Sequence, residues 1–257
     1  MRERRSTSDT TGTTFADPWV REKTMLIKEG ESRTLKTDIL LASSLAFVAG
    51  GVNSAGYLGF GYFSANMTGN VSLISDHISA GDIYLGLAFL GIVAMFMAGA
   101  FSASLFIQIG KHYRLRAIFA LTLLAEAALL MGIGLYSLIA GSSVSGLGTV
   151  GVISFSMGIQ NAASTRISGS RVRTTHVSGV ATDIGVGLAQ LIEPSDAHAG
   201  RHTRDRLLLH SATVASFLVG GTAGVLCYQA AGGAVFCAFS VVLLFLCVRH
   251  LIGVSHN

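Results

Sequence analysis

Long apolar windows alternate with short polar loops along this chain. Six windows are long enough to form a helix across a hydrocarbon core, which takes about 17–25 apolar residues. They lie at about 39–62, 83–109, 117–139, 147–164, 208–230 and 234–250. One such window could be the buried helix of a soluble protein. Six of them predict a polytopic integral membrane protein of the all-α class, whose first partner is the lipid bilayer.

Two further segments, 66–80 and 174–192, are only moderately apolar and carry polar residues throughout. If they dip into the bilayer and return, the cationic stretches Lys111–Arg116, Arg166–Arg173 and Arg201–Arg206 all face the cytoplasm, as the positive-inside rule favours. If both segments cross, the first two stretches are exported against that rule. We therefore predict six spans, two re-entrant or partly inserted segments, and cytoplasmic N- and C-termini.

The composition agrees with a membrane protein and argues against a nucleic-acid partner. Only 12% of the residues are charged, against about 25% in a soluble domain. The net charge of +4 comes from cations that cluster at the ends of apolar windows, so nucleic acid is not predicted as a partner. Residues 1–38 are polar, lack the apolar stretch of a signal peptide, and are predicted to form a flexible cytoplasmic tail. Residues 39–257 are predicted to form a single transmembrane domain.

An internal repeat divides that domain into two related halves, at about 39–139 and 147–250. Residues 91–105 align with 212–226, with five of fifteen positions identical. Two shorter matches lie upstream in the same order, Gly50–Asn53 with Gly158–Asn161 and Asn66–Gly69 with His176–Gly179. Because each half has three spans, the second half must be inverted relative to the first, as in many transporters. The predicted fold is two inverted three-helix repeats, each with a polar re-entrant helix after its first span.

The repeated polar motifs combine residues that end and begin helices. An Asn or a hydroxyl before a helix accepts hydrogen bonds from its first-turn N–H groups, and glycine permits close backbone approach. A re-entrant loop at 62–67 would point the positive end of the next helix into the bilayer, where irregular backbone must be buried or line a cavity. The motifs predict a polar substrate path between two facing half-helices; alternatively, they only cap and pack helices. The predicted path residues are Asn53, Asn66, Thr68, Gly69, Asn70, Asn161, His176, Ser178 and Gly179.

Two carboxylates inside the predicted membrane region complete this set. Glu126 lies in the middle of the span at 117–139, and Asp183 lies in the second polar segment. A charged side chain at the centre of a span costs about 2.5–3.5 kcal/mol on insertion scales, so such residues usually face the protein interior. Asp183 is predicted to lie on the path. Glu126 either couples transport to protons or is protonated and paired structurally.

The sequence contains no motif that indicates catalysis or the binding of a cofactor or metal. The sequence has no nucleophile elbow, no His–Glu metal-binding helix and no phosphate-binding glycine loop, so no enzyme activity, cofactor or metal is predicted. The cysteines, Cys227, Cys237 and Cys247, lie inside predicted spans without metal spacing. The favoured function is a small permease or channel-like transporter of a polar solute. The alternative is a non-transporting scaffold or accessory subunit, and either is compatible with an oligomer.

Three stretches carry a family resemblance: FVAGGVNSAGYLGFGYFSANMTGNVSLI, GIQNAASTRI and TTHVSGVATDIG. They resemble the YoaK-like family, bacterial inner-membrane proteins of unknown function with about six transmembrane helices. The resemblance covers about residues 38–250, is most specific at Met67–Asn70, and implies the bacterial cytoplasmic membrane as the location. It implies no substrate. Two positions depart from the family pattern: Asn53 stands at a usual Asp and Ser178 at a frequent Thr. The missing Asp removes an ionisable group and so puts a proton-linked role of the first motif in doubt.

Overall fold

The computed structural model describes residue 26 and residues 29–115, 117–140, 146–192 and 197–255. Most of the predicted tail at 1–38 lies outside these residues. Within them the chain forms eight α-helices and no strand. The helices are α1 (Leu35–Phe60), α2 (Met67–Ser79), α3 (Ile83–His112), α4 (Ile118–Ala140), α5 (Gly146–Ser168), α6 (Val177–Ile192), α7 (Ala197–Ala231) and α8 (Ala234–Ser255). The described structure is therefore all-α, as the apolar windows predict.

Among the described residues, four helices are long and apolar enough to cross a membrane: α1, α3, α4 and the Gly200–Ala231 part of α7. Shorter apolar helices are α6 and the Ala234–Val248 part of α8. The helix α5 has 23 residues but carries polar side chains such as Gln160 and Asn161, which lower its hydropathy. The six predicted spans fall on α1, α3, α4, α5, α7 and α8, and the two polar segments fall on α2 and α6. The fold is that of an α-helical protein with several apolar helices able to span a membrane.

The helices α2 and α6 are short. At 1.5 Å per residue, the 13 residues of α2 extend about 20 Å and the 16 residues of α6 extend about 24 Å. A hydrocarbon core is about 30 Å thick, so neither helix is long enough to cross it alone. Each of them directly follows the first helix of its half of the chain.

The most extensive contact between helices joins α1 to α7. A Cβ atom at Gly50 would overlap the backbone carbonyl oxygen of Phe217, so the missing side chain lets the two backbones touch. Further along both helices, a Cβ atom at Gly59 would overlap the side chain of Tyr228. Because the contacts advance along both helices together, α1 and α7 run parallel.

The helices α3 and α5 form a second parallel pair. The Ser154 hydroxyl donates a hydrogen bond of 2.8 Å to the carbonyl oxygen of Ile92. Further along both helices, Ala103 and Ala162 share a buried apolar cluster. Each of the two parallel pairs therefore joins a helix of the first half to a helix of the second.

The helices α4 and α8 pack against each other in opposite directions. The Ser240 hydroxyl donates a hydrogen bond of 2.6 Å to the carbonyl oxygen of Ala127. Later in α4, a Cβ atom at Gly134 would overlap Cys237, which lies earlier in α8. The largest buried apolar cluster draws mainly on these two helices and on α1 and α5. The core thus lies where the two halves meet.

Large apolar side chains also cover much of the outer surface. The most exposed include Ile139, Tyr84, Phe101 and Leu218, at 86%, 74%, 69% and 68%. A soluble monomer rarely exposes an apolar surface of this extent, because its contact with water is unfavourable. The exposed faces of these helices are therefore compatible with contact to the lipid bilayer.

Candidate functional site

The chain reverses direction after α1, in the loop 61–66. Gly61 ends α1 with a φ of 80°, in the left-handed region that glycine adopts without strain. The loop then returns along the helix, because Asn53 Oδ1 accepts a hydrogen bond of 2.9 Å from the N–H of Ala65. The helix α2 therefore starts near the level of Asn53, which is about 10 Å along the helix before the end of α1 at Phe60.

The loop after α5, residues 169–176, makes the same return. The hydroxyl of Thr175 donates a hydrogen bond of 3.0 Å to Asn161 Oδ1. Asn161 in turn donates a hydrogen bond of 2.8 Å from Nδ2 to the carbonyl oxygen of Met157, one turn earlier in α5. In both halves, an Asn of the first helix therefore fixes where the next, short helix begins.

Polar side chains lie at the starts of both short helices. Asn66 caps α2, because its Oδ1 accepts a hydrogen bond of 3.1 Å from the N–H of Gly69. A Cβ atom at Gly69 would overlap the Asn66 side chain, and one at Gly179 would overlap the His176 ring. In each motif, the glycine three positions after the polar residue leaves room for that residue at the helix start.

A cavity of about 580 Å³ lies between the two returning loops, and both halves line it. Asn70 does not line it but supports it, because Asn70 is fully buried and its Nδ2 donates a hydrogen bond of 2.9 Å to the carbonyl oxygen of the lining residue Phe63. Gly179 likewise lies beneath the lining residue His176. Seven of the eleven predicted path residues line the cavity: Asn53, Asn66, Thr68, Gly69, Asn161, His176 and Ser178.

An ion cluster joins the start of α1 and the chain just before it to the end of α3 and to the loop after α5. Asp38 is almost fully buried and lies 2.5 Å from Arg33 Nε and 3.1 Å from Arg171 Nη2. Burial lowers the pKa of Arg33, and the hydrogen bond and charge of Asp38 oppose this effect. Lys111, near the end of α3, pairs with Glu29. The cluster holds these three parts of the chain together at one face of the protein.

The profile of a family described as "Protein of unknown function (DUF1275)" matches residues 41–249. The chain belongs to this family. The match runs from α1 to α8, includes both returning loops, and is consistent with the resemblance to the YoaK-like family. The comparisons with curated proteins and with solved structures found no match. The family description names no activity, so the chemistry of the site has to indicate the function.

One predicted path residue of this DUF1275 protein, Asp183, lies on a different face of α6. Its Oδ2 is 3.9 Å from His210 Nε2 on α7, and its side chain is about half exposed. Asp183 follows the lining residue Ser178 by five positions, which is about 140° around a helix. The two side chains therefore lie on different sides of α6, and Asp183 is not among the residues that line the cavity.

Glu126 also lies away from the cavity. It is fully buried in α4, next to Ala127, which accepts the hydrogen bond from Ser240 of α8. Neither of its carboxyl oxygens has a hydrogen-bond partner among the described residues. The alternative in which Glu126 is paired structurally therefore finds no hydrogen-bond partner among the described residues. The role of Glu126 in proton coupling stays a prediction. Across the described residues, no three His, Cys, Asp or Glu side chains are arranged to hold a metal ion.

The sequence predictions omit several residues that line the cavity, among them Arg173, Phe96 and Phe217. Arg173 belongs to a cationic stretch that the positive-inside rule already explains. Nothing in the sequence therefore distinguishes it as a residue that lines a cavity. Phe96 and Phe217 are identical, equivalent positions in the aligned stretches 91–105 and 212–226. That identity is the signal by which this DUF1275 sequence could have revealed them.

Proposed function

We propose that this protein is a small permease or channel-like transporter, and that a polar solute passes through the cavity between its two halves. The observation that carries the proposal is the meeting of two short helices, one from each half, at a cavity lined by amide, hydroxyl and imidazole groups. Polar side chains and irregular backbone are costly inside a membrane unless they pair or line a water-filled space. Transporters with repeated halves place their solute sites at such meeting points of broken helices.

Equivalent glycine contacts support an inverted repeat as the framework of that path. Gly50 of α1 lies against the carbonyl oxygen of Phe217 in α7. The aligned residue Gly158 of α5 lies against the carbonyl oxygen of Phe96 in α3, and Phe96 aligns with Phe217. The first helix of each half is therefore packed in the same way on the third helix of the other half.

The opposite directions of α1 and α5 support the inversion itself. Gln160, late in α5, donates a hydrogen bond of 2.7 Å from Nε2 to the carbonyl oxygen of Leu45, early in α1. Ile153, early in α5, lies beside Gly56, late in α1. These two equivalent helices thus cross antiparallel, as repeats related by an axis in the membrane plane require.

The ion cluster supports a re-entrant α2. It places Lys111 on the same face of the protein as Glu29. An even number of crossings must separate two groups on one side of a membrane. If α2 crossed together with α1 and α3, three crossings would separate Glu29 from Lys111, whereas a re-entrant α2 leaves two. The ion pair therefore favours an α2 that enters and leaves on one side.

Cysteine labelling in a variant without the native cysteines tests this topology. Single cysteines at Ala80 and Ala140 should react with an impermeant maleimide in intact spheroplasts, because both positions face the periplasm in the six-span arrangement. A cysteine at the exposed Tyr113 should react only in inside-out vesicles. If α2 crosses, Ala80→Cys instead reacts from the cytoplasmic side, and the re-entrant assignment is wrong.

Transport is tested by blocking the cavity with a large side chain. The purified protein in liposomes is first screened for solutes that stabilise it and are taken up. Ser178→Trp and Thr68→Trp place an indole in the cavity and should abolish uptake of those solutes. Leu188→Trp and Val71→Trp on the exposed sides of the same short helices are matched controls and should retain uptake, since both positions are more than half exposed.

A non-transporting scaffold or accessory subunit is the competing function. It requires the two motifs to pack against each other without space between them, and the cavity of about 580 Å³ favours transport instead. Unchanged uptake in both cavity variants would contradict the proposed path. The proposed path is also contradicted if the folded protein neither binds nor takes up any of the solutes screened.

A further inference from the structure

The charges at the cavity have one sign. Arg173 lines the cavity, and none of the lining residues in the described chain is Asp or Glu. Arg173 is exposed and makes no hydrogen bond or ion pair within the part of the chain that the structure describes. The carboxylates of Asp183 and Asp38 lie beside His210 and in the ion cluster, respectively. A cation in a concave site raises the local concentration of anions through its uncompensated field.

Both short helices add positive potential to the same space. The helix α2 begins at the lining residues Met67 and Thr68, and α6 begins at the lining residues Val177 and Ser178. The N-terminus of a helix carries roughly half a positive elementary charge and unsatisfied N–H groups. The starts of two helices of 13 and 16 residues therefore face the cavity from its two sides.

Asn53 supplies a further hydrogen-bond donor at the cavity, independent of Arg173 and of the helix starts. It lines the cavity, is only 6% exposed, and uses Oδ1 to accept the hydrogen bond from the N–H of Ala65. Because that backbone donor fixes the orientation of the amide, the Nδ2 group is left without an acceptor among the described residues. The equivalent Asn161 differs, because its Nδ2 donates to Met157. Because Asn53 lines the cavity, a ligand oxygen there can accept a hydrogen bond from this donor.

We propose that the cavity binds a small anion of the carboxylate or oxyanion class, held by Arg173, by Asn53 Nδ2 and by the starts of α2 and α6. This inference rests on the proposed function, because the cavity is the path of the solute. A guanidinium binds two oxygens of such a group at once. A cation would need carboxylates or several free carbonyl oxygens, whereas the lining has no carboxylate and engages the side-chain oxygens of Asn53, Asn66 and Asn161.

The test compares solute classes on the full chain in detergent, with thermal unfolding as the readout. Sodium acetate, succinate, phosphate and sulfate vary the anion at constant ionic strength. Potassium, ammonium and choline chloride vary the cation, and glycerol and glucose represent neutral polar solutes. We expect the midpoint of unfolding to rise with at least one of the oxygen anions in a saturable way. The cation and neutral series should leave it unchanged.

Two variants assign the effect to the cavity. Arg173→Gln removes the charge, and Asn53→Asp keeps the acceptor for Ala65 while placing a carboxylate where the donor was. Each should weaken the apparent affinity for the anion by about tenfold or more, as expected for the loss of a hydrogen bond to a charged group. Arg166→Gln removes the same charge from the exposed end of α5, outside the cavity lining, and should bind the anion as the original protein does.

The outcomes separate this inference from the proposed function. If cations or neutral solutes stabilise the protein and are taken up, and the tryptophan variants block that uptake, the anion assignment is wrong and the permease proposal stands. An anion effect that survives in Arg173→Gln and Asn53→Asp also overturns the assignment, because it then reflects a general salt effect. If no class of solute binds or is taken up, both proposals fail.

Discussion

Replacing Asp38 with alanine should destabilise the protein by about 3–5 kcal/mol, the cost of removing one partner from a buried ion pair. Asp38 is 2% exposed, and its two carboxylate oxygens contact Arg33 and Arg171. The Arg33 side chain is fully buried. The substitution therefore removes a negative charge from between two guanidinium groups that the fold holds close together. Reversible unfolding in mixed detergent micelles, followed by circular dichroism, measures the change in the free energy of unfolding.

The exposed ion pair of Lys111 and Glu29 provides the control. These side chains are 39% and 41% exposed, and an exposed pair contributes about 0.2–1 kcal/mol. Glu29→Ala should therefore cost less than about 1 kcal/mol. Asp38→Asn, which keeps the shape and one acceptor oxygen, should fall between the two alanine variants. If the Asp38→Ala protein is as stable as the Glu29→Ala protein, the buried contacts of Asp38 contribute no more to the free energy of unfolding than the exposed Lys111–Glu29 pair does.

A methyl group at Gly99 should force α3 away from α5. A Cβ atom there would overlap the carbonyl oxygen of Phe155, which is backbone and moves only if the whole helix moves. Overpacking of a well-packed contact costs about 1–3 kcal/mol. We expect Gly99→Ala to approach the upper end of that range, because the α3–α5 contact joins the two halves of the protein. The same unfolding measurement applies.

Gly91 lies about two turns earlier in α3 and is the matched control. A Cβ atom at Gly91 meets no atom within 4 Å. Gly91→Ala should leave the stability unchanged or raise it by up to about 1 kcal/mol, since alanine favours the helix more than glycine does. Equal losses in Gly91→Ala and Gly99→Ala would indicate that helix packing at Gly99 is not the cause.

The positions of the helices could be predicted because the bilayer requires long apolar segments. The ends of the helices could not, because hydropathy registers only apolar stretches. The window 147–164 stops where α5 continues to Ser168, and the hydroxyl of Ser164 donates to the carbonyl oxygen of Asn161 within that helix. Similarly, α7 begins at Ala197, well before the window at 208–230, in a cationic stretch. A helix can therefore continue beyond its apolar part where polar side chains form hydrogen bonds with the backbone of the same helix.

It could be predicted that the polar motifs lie together, because the repeat in the sequence relates them, and residues of both motifs line one cavity. Asn53 and Asn161 occupy equivalent positions, and each accepts a hydrogen bond from the loop that follows its helix. That Arg173 lines the cavity and Asp183 does not could not be predicted in the same way. It depends on which face of α6 meets the cavity and on where the loop before α6 runs, and neither property appears in a hydropathy profile. The sequence therefore indicates where the site lies better than which charges it contains.

The pairing of α1 with α7 and of α3 with α5 has a consequence for how the protein is made. The three most extensive helix contacts all join one half to the other. During synthesis, α1 leaves the ribosome first, whereas α7, the helix that covers Gly50, is the last but one to emerge. The backbone of α1 around Gly50 must therefore remain covered by lipid or by the insertion machinery until nearly the whole chain has been translated. Neither half can complete its packing alone, so the protein is assembled as one unit at the end of its synthesis.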